Sequence, residues 1–102
     1  MAKLITIYWR EIPAQVIARV GRTNHKRELP PRFAEAIDRA AMRAGKGSSD
    51  AYLADWRRES RDLQGDPGEV VAREVERLDS AFPPDRLERM VKAGGVMPVE
   101  SP

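Results

Sequence analysis

The first twenty residues alternate in a way typical of a β-hairpin. Residues 4–10 (LITIYWR) and 15–20 (QVIARV) are rich in the β-branched and aromatic side chains that strands favour. Pro13 cannot donate to a strand ladder, so it belongs in the connection or at the start of the second strand. Successive strand residues point to opposite faces, which separates two sets of side chains. One set is Ile5, Ile7 and Trp9, and the other is Leu4, Thr6 and Tyr8.

Both faces of this predicted hairpin are largely apolar. A turn centred on Ile12 would place Tyr8 opposite Val16 and Ile7 opposite Ile17. A hairpin with two apolar faces needs cover on more than one side, or a partner. We therefore expect most of the hairpin to be core, with the Trp9 side as the surplus.

A helix follows a polar connection. Residues 21–31 (GRTNHKRELPP) are predicted to form a loop, and the two prolines prepare a helix start. The spacing of apolar residues predicts a helix over 31–44, and Gly45 stands at the position expected just after its end. The stripe consists of Phe33, Ile37, Ala40, Ala41 and Ala44.

The stretch 48–63 (SSDAYLADWRRESRDL) fits two patterns. Tyr52, Ala54 and Trp56 alternate as in a strand, but Tyr52, Leu53 and Trp56 also suit a helical turn. We favour a third strand around residues 53–60, because it would give the hairpin a neighbour.

Two helices are predicted at the C-terminal end. The first has Asp66 as its N-cap, Pro67 in its first turn and Glu69 at the third position, and Pro83 and Pro84 end it. The second covers 84–93 and ends at two glycines. The predicted fold is α+β: an N-terminal β-hairpin, a helix, a third antiparallel strand and two helices packed on one sheet face. Residues 1–95 form one domain, and 96–102 form a flexible tail.

Composition narrows the chemistry. The chain of 102 residues contains no cysteine, which excludes disulfides, thiolate nucleophiles and cysteine-ligated metals. No apolar run approaches the roughly 18–20 residues that span a bilayer. The N-terminus has no signal-peptide pattern, so we expect a cytoplasmic protein.

Charge is distributed unevenly along the chain. Residues 1–47 carry ten Lys or Arg and four Asp or Glu, whereas residues 48–102 carry eight and twelve. The basic half would suit an anionic partner, but the two halves could equally attract each other or form an ordinary solvated surface. The candidate anion-binding residues are Arg19, Arg22, Lys26, Arg27 and Arg32.

No catalytic or metal-binding pattern is present in the sequence. His25 is the only histidine, and no His or Asp spacing typical of a metal site occurs, so we expect no catalytic residue, metal or cofactor. The G-x-G of residues 45–47 follows a helix and is predicted to be a cap and turn. Carboxylates near apolar positions have local arginine partners: Glu35 has Arg39, and either Asp55 or Glu59 has Arg58.

One aromatic and cationic group stands out. If the first and third strands are neighbours, two Trp-Arg pairs would meet, and Trp, Tyr and Arg are enriched where proteins bind one another. The predicted interface residues are Tyr8, Trp9, Arg10, Tyr52, Trp56, Arg57 and Arg58. Alternatively, both tryptophans fill the core, or the group stacks on nucleic-acid bases.

The runs ITIYWREIPAQVIARVGR (5–22), PPRFAEAIDRAAMRAG (30–45) and SSDAYLADWRR (48–58) resemble the small bacterial "conserved virulence factor" domain. Such domains occur alone or attached to HEAT-like helical repeats, so the resemblance implies a module that works beside other proteins. It supplies no catalytic residue.

These observations favour a non-catalytic protein-interaction module or accessory subunit of a bacterial complex, with a protein partner or self-association and no membrane. Two alternatives remain open. One is an accessory subunit or small enzyme of bacterial metabolism, in one-carbon or methyl transfer, and the other is an RNA-binding or other nucleic-acid-binding domain that uses the basic half.

Overall fold

The computed structural model describes residues 2–45 and 49–97, which form one four-stranded sheet and four helices. The strands are all antiparallel and stand in the order β3-β2-β1-β4. The elements are β1 (Ala2–Trp9), β2 (Ile12–Val20), β3 (Thr23–Glu28), α1 (Pro31–Arg43), α2 (Ser49–Ala54), β4 (Trp56–Asp62), α3 (Pro67–Ala81) and α4 (Pro84–Lys92). The α+β class is confirmed. Residues 46–48, and 98–102 of the predicted tail, lie outside the described residues.

The β1–β2 hairpin keeps the predicted faces but not the predicted register. Thr6, rather than Tyr8, is opposite Val16, and Ile5, rather than Ile7, is opposite Ile17. The shift of two positions arises because the turn is formed by residues 10–11 and a bulge lies near residues 7–8. A shift by an even number leaves every side chain on its original face.

The prediction of a loop at residues 21–31 is wrong over β3. Gly21, at φ +59°, and Arg22 connect β2 to β3, which pairs with β2 along its length. All six residues of β3 are exposed, so the strand has no buried side to impose an apolar alternation.

The predicted third strand at 53–60 is only partly right. Its first two residues end α2, and β4 begins at Trp56, whose Cα partner in β1 is Trp9. The two predicted Trp-Arg strands are therefore neighbours.

The helix ends are better predicted: Gly45 follows α1 at φ +74°, and the Asp66 carboxylate accepts a hydrogen bond from the Glu69 backbone at 3.0 Å.

The helices surround one face and one end of the sheet. Leu4, Val16 and Ala18 share a face and pack with Val71 and Leu78 of α3. At the end of the sheet where β1 meets β2, α1 lies beside α4 and against β2. The apolar stripe of α1 is buried there, as predicted, and contributes Phe33, Ile37, Ala40 and Ala41 to the core.

Trp9 joins three parts of the chain at this end. Its side chain is 0% exposed, its ring stacks on Tyr52 at 5.9 Å, and its Nε1 donates to the Tyr52 carbonyl oxygen at 2.9 Å. Gly95, at φ +96°, lies so close that a Cβ there would be 2.6 Å from Cζ3 of the indole. Trp9 thus fixes the end of β1 against α2 and the residues that follow α4.

A buried carboxylate links α3 to β4. Glu74 is 6% exposed, accepts two hydrogen bonds of 2.7 Å from Arg77, and pairs with Arg61 at 3.3 Å. The hydrogen bonds from Arg77 hold the pKa of Glu74 below its usual value, although burial opposes them.

Gly95→Ala should destabilise the fold more than Gly45→Ala. At Gly95 the new methyl group meets Trp9 and the backbone is left-handed, so we expect a loss of about 2–4 kcal/mol in the free energy of unfolding. At Gly45 nothing lies within 4 Å, so only the backbone cost of about 1 kcal/mol remains. Urea unfolding followed by tryptophan fluorescence measures both, and equal losses would contradict this packing.

Glu74 should make stability depend on pH. Because its pKa is lowered on folding, its contribution is complete above the unfolded value of 4.5 and is lost as the pH falls through the lowered folded value. Glu74→Gln should therefore flatten the decline of unfolding free energy below pH 4.5. Urea titrations at a series of pH values provide the measurement, and parallel curves for the two proteins would contradict it.

Candidate interaction surface

The sheet face opposite α3, which we call the open face, carries isoleucines outside the core. Ile5, Ile7 and Ile17 point to this face by their register, and none belongs to the hydrophobic core cluster or packs against it. Ile5 is buried, with 6% of its surface exposed, whereas Ile7 and Ile17 are half-buried. The prediction that the Trp9 side is surplus is thus wrong for Trp9 itself, which is fully buried, whereas Ile7 and Ile17 on the same side lie outside the core.

Polar and charged side chains surround these isoleucines. By register, the open face also bears Lys3, Gln15, Arg19, Asn24, Lys26, Glu28, Arg58, Ser60 and Asp62. Lys3 pairs with Asp62 at 2.6 Å, and Arg19 donates to Asn24 at 3.3 Å. The face therefore combines a small apolar centre with an excess of cations, four against two carboxylates.

A groove opens where this face meets α1; we call it the α1 groove. Its volume is about 590 Å³. Its lining combines an indole, small apolar side chains, three carboxylates and one cation, contributed by Ala14, Gln15, Lys26, Glu28, Leu29, Pro31, Ala34, Glu35, Asp38 and Trp56. Aromatic area and unlike charges thus meet in one concave site, as is usual where a protein binds a ligand or a side chain.

The aromatic wall of the α1 groove is braced from behind. Trp56 packs edge-on against Tyr52 with ring centroids 5.8 Å apart, and Tyr52 stacks on buried Trp9. Burial, and then the negative charge of Asp38, raise the pKa of Tyr52, while a hydrogen bond from Trp56 lowers it. The negative charge of Asp38 therefore acts on Tyr52, whose ring packs against the Trp56 indole at one side of the groove.

The structure brings some predicted interface residues together but divides them between core and surface. Trp9, Tyr52 and Trp56 form one chain of ring contacts, and Arg10 lies over Trp9 at 5.1 Å. Trp9 has no exposed surface, so it supports an interface only from beneath. Arg10 is held by Asp55 at 3.2 Å and by the carbonyl oxygen of residue 94 at 2.9 Å.

The two arginines that follow Trp56 point to opposite faces. Arg57 lies over the Tyr8 ring at 4.5 Å and donates to the Arg10 carbonyl oxygen at 2.7 Å, so its charge is engaged. Burial raises the pKa of Tyr8, with the negative charge of Glu59 as the next cause. Arg58 is exposed and sits opposite Ile7 on the open face.

The predicted anion-binding residues do not form one cluster. Arg19 and Lys26 lie on the open face, while Arg27 is paired with Val16 on the opposite face. Arg22 lies in the exposed turn before β3. Arg32 pairs with Asp79 and donates to the Phe82 carbonyl oxygen at 3.1 Å, so it ties α1 to the end of α3.

The predicted local partners of Glu35 and Asp55 are not their direct ion-pair partners. Arg39 binds Glu88 of α4 through two hydrogen bonds of 2.7 and 2.8 Å, and the charge of Glu35 acts on Arg39 only at longer range. Asp55 pairs with Arg10 rather than with Arg58. Direct contacts between distant parts of the chain thus replace contacts between residues close in sequence. Glu35 lines the α1 groove.

Sequence reasoning missed the α1 groove because it missed β3. Glu28 and Lys26 were assigned to a loop, so nothing placed them beside α1. A short turn signal, Gly21 after the apolar run of β2, was the available evidence for a second hairpin.

Within residues 2–45 and 49–97, no group of three or more potential ligands could hold a metal ion. Over the same ranges, no helix combines the length and apolar character required to cross a bilayer.

The comparisons with known proteins identify the family of the chain. No curated protein and no solved structure shows a significant match to the chain. The family model described as "Virulence factor" matches residues 7–91, from the central strand through α4. That match covers the end of β1, the other three strands, the α1 groove and nearly all of the helices, and the chain therefore belongs to the virulence factor family.

Proposed function

We propose that this protein is a non-catalytic binding module that docks another protein on its open face. The observation that carries the proposal is the position of Ile7 and Ile17, which are apolar, half-buried and outside the core at the centre of a four-stranded sheet. Exposed apolar residues with a polar rim are typical of interaction sites.

The size of the apolar centre limits what it contributes. Full burial of an isoleucine side chain contributes about 1.5–3 kcal/mol, so completing the burial of two half-buried ones contributes less than that amount in total. This is well below the roughly 8 kcal/mol of a micromolar complex. The partner must therefore also engage the polar rim, where Lys26 and Arg58 flank the isoleucines in neighbouring strands.

The pattern of side chains favours a protein over a nucleic acid. Single-stranded nucleic acids bind through aromatic side chains on which bases stack, and the centre of this face carries isoleucines instead. Three cations proposed for an anionic partner, Arg22, Arg27 and Arg32, do not lie on it.

The charges of the open face favour a different protein over a second copy. A two-fold stack about an axis along the strands would bring one α1 groove, with Glu28 and Asp38, against the other. About an axis across the strands, Lys26 would face its own copy and Ile7 would face Lys3. Neither arrangement matches unlike charges throughout.

Position-specific photocrosslinking tests the proposal. We expect p-benzoylphenylalanine in place of Arg58, on the open face, to give a discrete crosslinked product in cells expressing the protein at its native level. The same group in place of Glu76, at an exposed position of α3, is the matched control and should give none. Ile17→Asp should reduce the product about tenfold or more, because it places a charge in the apolar centre.

Thermal unfolding of each variant shows whether the fold is kept. Equal crosslinking from positions 58 and 76, or a product insensitive to Ile17→Asp in a folded protein, would contradict the proposal. A product of twice the chain's mass would identify a second copy as the occupant, and loss of the product on RNase treatment would identify a nucleic acid. Either of those results would overturn the assignment to a different protein.

A further inference from the structure

We propose that the α1 groove binds the guanidinium group of an arginine side chain of the docked partner, held against the Trp56 indole by Glu28, Glu35 and Asp38. This inference rests on the proposed function, because the arginine belongs to the protein that covers the open face. It adds the chemistry by which one side chain of that partner is recognised.

The carboxylates of the α1 groove form no direct ion pair, unlike most other carboxylates of the described chain. Among the described residues, eight carboxylates form ion pairs: Asp55, Glu59, Asp62, Glu69, Glu74, Asp79, Asp85 and Glu88. Within the same part of the chain, no hydrogen bond or ion pair involves Glu28, Glu35 or Asp38, although arginines and lysines outnumber acids overall. Three carboxylates from two elements thus face one groove without a hydrogen bond or ion pair, although the charge of Glu35 also acts on Arg39 at longer range.

The charge balance inside the α1 groove is negative in a protein whose net charge is +2. Lys26 is the one cation in the lining, against three carboxylates. A cationic group is therefore the complementary occupant. The remainder of the open face carries the opposite excess, with Lys3, Arg19 and Arg58 further along the sheet. A partner that fits both regions presents an arginine towards α1 and acidic groups towards the rest of the sheet.

The aromatic wall selects a guanidinium over an ammonium. A guanidinium is planar and weakly hydrated, so it stacks on an indole and still donates hydrogen bonds in its own plane to carboxylates. Trp56 is braced by Tyr52, and Asp38 lies close enough to that pair to shift the pKa of Tyr52. This protein already uses the same chemistry internally, since Arg10 lies over Trp9 and pairs with Asp55.

A small probe measures the recognition without knowledge of the partner. N-acetyl-arginine amide, titrated into the full chain labelled with ¹⁵N, should shift the Trp56 indole N–H signal and the amides of the α1 groove. The expected dissociation constant is about 1–10 mM, as suits a single side chain. N-acetyl-citrulline amide has nearly the same shape without the charge and should give no saturating shift. N-acetyl-lysine amide should bind more weakly than the arginine probe.

Substitutions of residues that line the α1 groove should either weaken or strengthen binding of the arginine probe, depending on the charge removed. Glu28→Gln or Asp38→Asn should weaken binding of the arginine probe by about two- to fivefold each, because each removes one exposed charge pair. Lys26→Gln should strengthen it by about twofold, since it removes the opposing cation. Glu76→Gln removes a carboxylate at an exposed position of α3. It is the matched control and should leave binding of the arginine probe unchanged.

The results separate this inference from the proposed function. Equal shifts with the arginine and citrulline probes, or binding unchanged by Glu28→Gln and Asp38→Asn, would overturn the arginine site. Crosslinking from position 58 that survives Glu28→Gln, Glu35→Gln and Asp38→Asn together would leave the open face as a docking surface and remove the groove from it. Probe binding without any crosslinked product would keep the site and contradict the proposed function.

Discussion

The structure depends on a central hairpin that is apolar on both faces. β1 and β2 each carry apolar side chains above and below the sheet, and they occupy its two central positions. Along most of the hairpin only one of these faces packs against α3 and the hydrophobic core, whereas on the other face the core includes Trp9 at the end of β1. The other face contains Ile7 and Ile17, which are half-buried and which further burial would also stabilise. The proposed interaction surface is a direct consequence of this imbalance, because the remaining apolar side chains lie together on one face.

The same hairpin positions the α1 groove. Trp9 fixes the end of β1 against α2 and Gly95, and its Cα partner Trp56 begins β4 at the same level of the sheet. The indole of Trp56 is therefore held at the edge of the open face by a fully buried neighbour. A buried aromatic residue that supports an exposed one gives a recognition site a rigid wall, which lowers the entropy lost on binding.

The sequence predicted what periodicity and caps encode, and missed what depends on contacts between elements. The strands with apolar alternation and the helices with Pro starts and Gly or Asp caps were located within a few residues. β3 was missed because all its side chains are exposed, so no alternation reveals it. The ion pair of Arg39 with Glu88 could not be predicted either, since it depends on how α1 and α4 lie side by side. The α1 groove combines both difficulties, because its walls are β3 and α1.

The most direct measurement of the central claim uses the five isoleucines of the chain. Their δ1 methyl groups can be labelled and exposed to a soluble paramagnetic agent, at a concentration where sedimentation shows a monomer. The account predicts strong relaxation enhancement at Ile7 and Ile17, which are half-buried on the open face. It predicts almost none at Ile12 and Ile37, which are 0% and 2% exposed in the core. Equal protection of all four methyl groups in the monomer would contradict it, because the second apolar face would then already be covered by the chain itself.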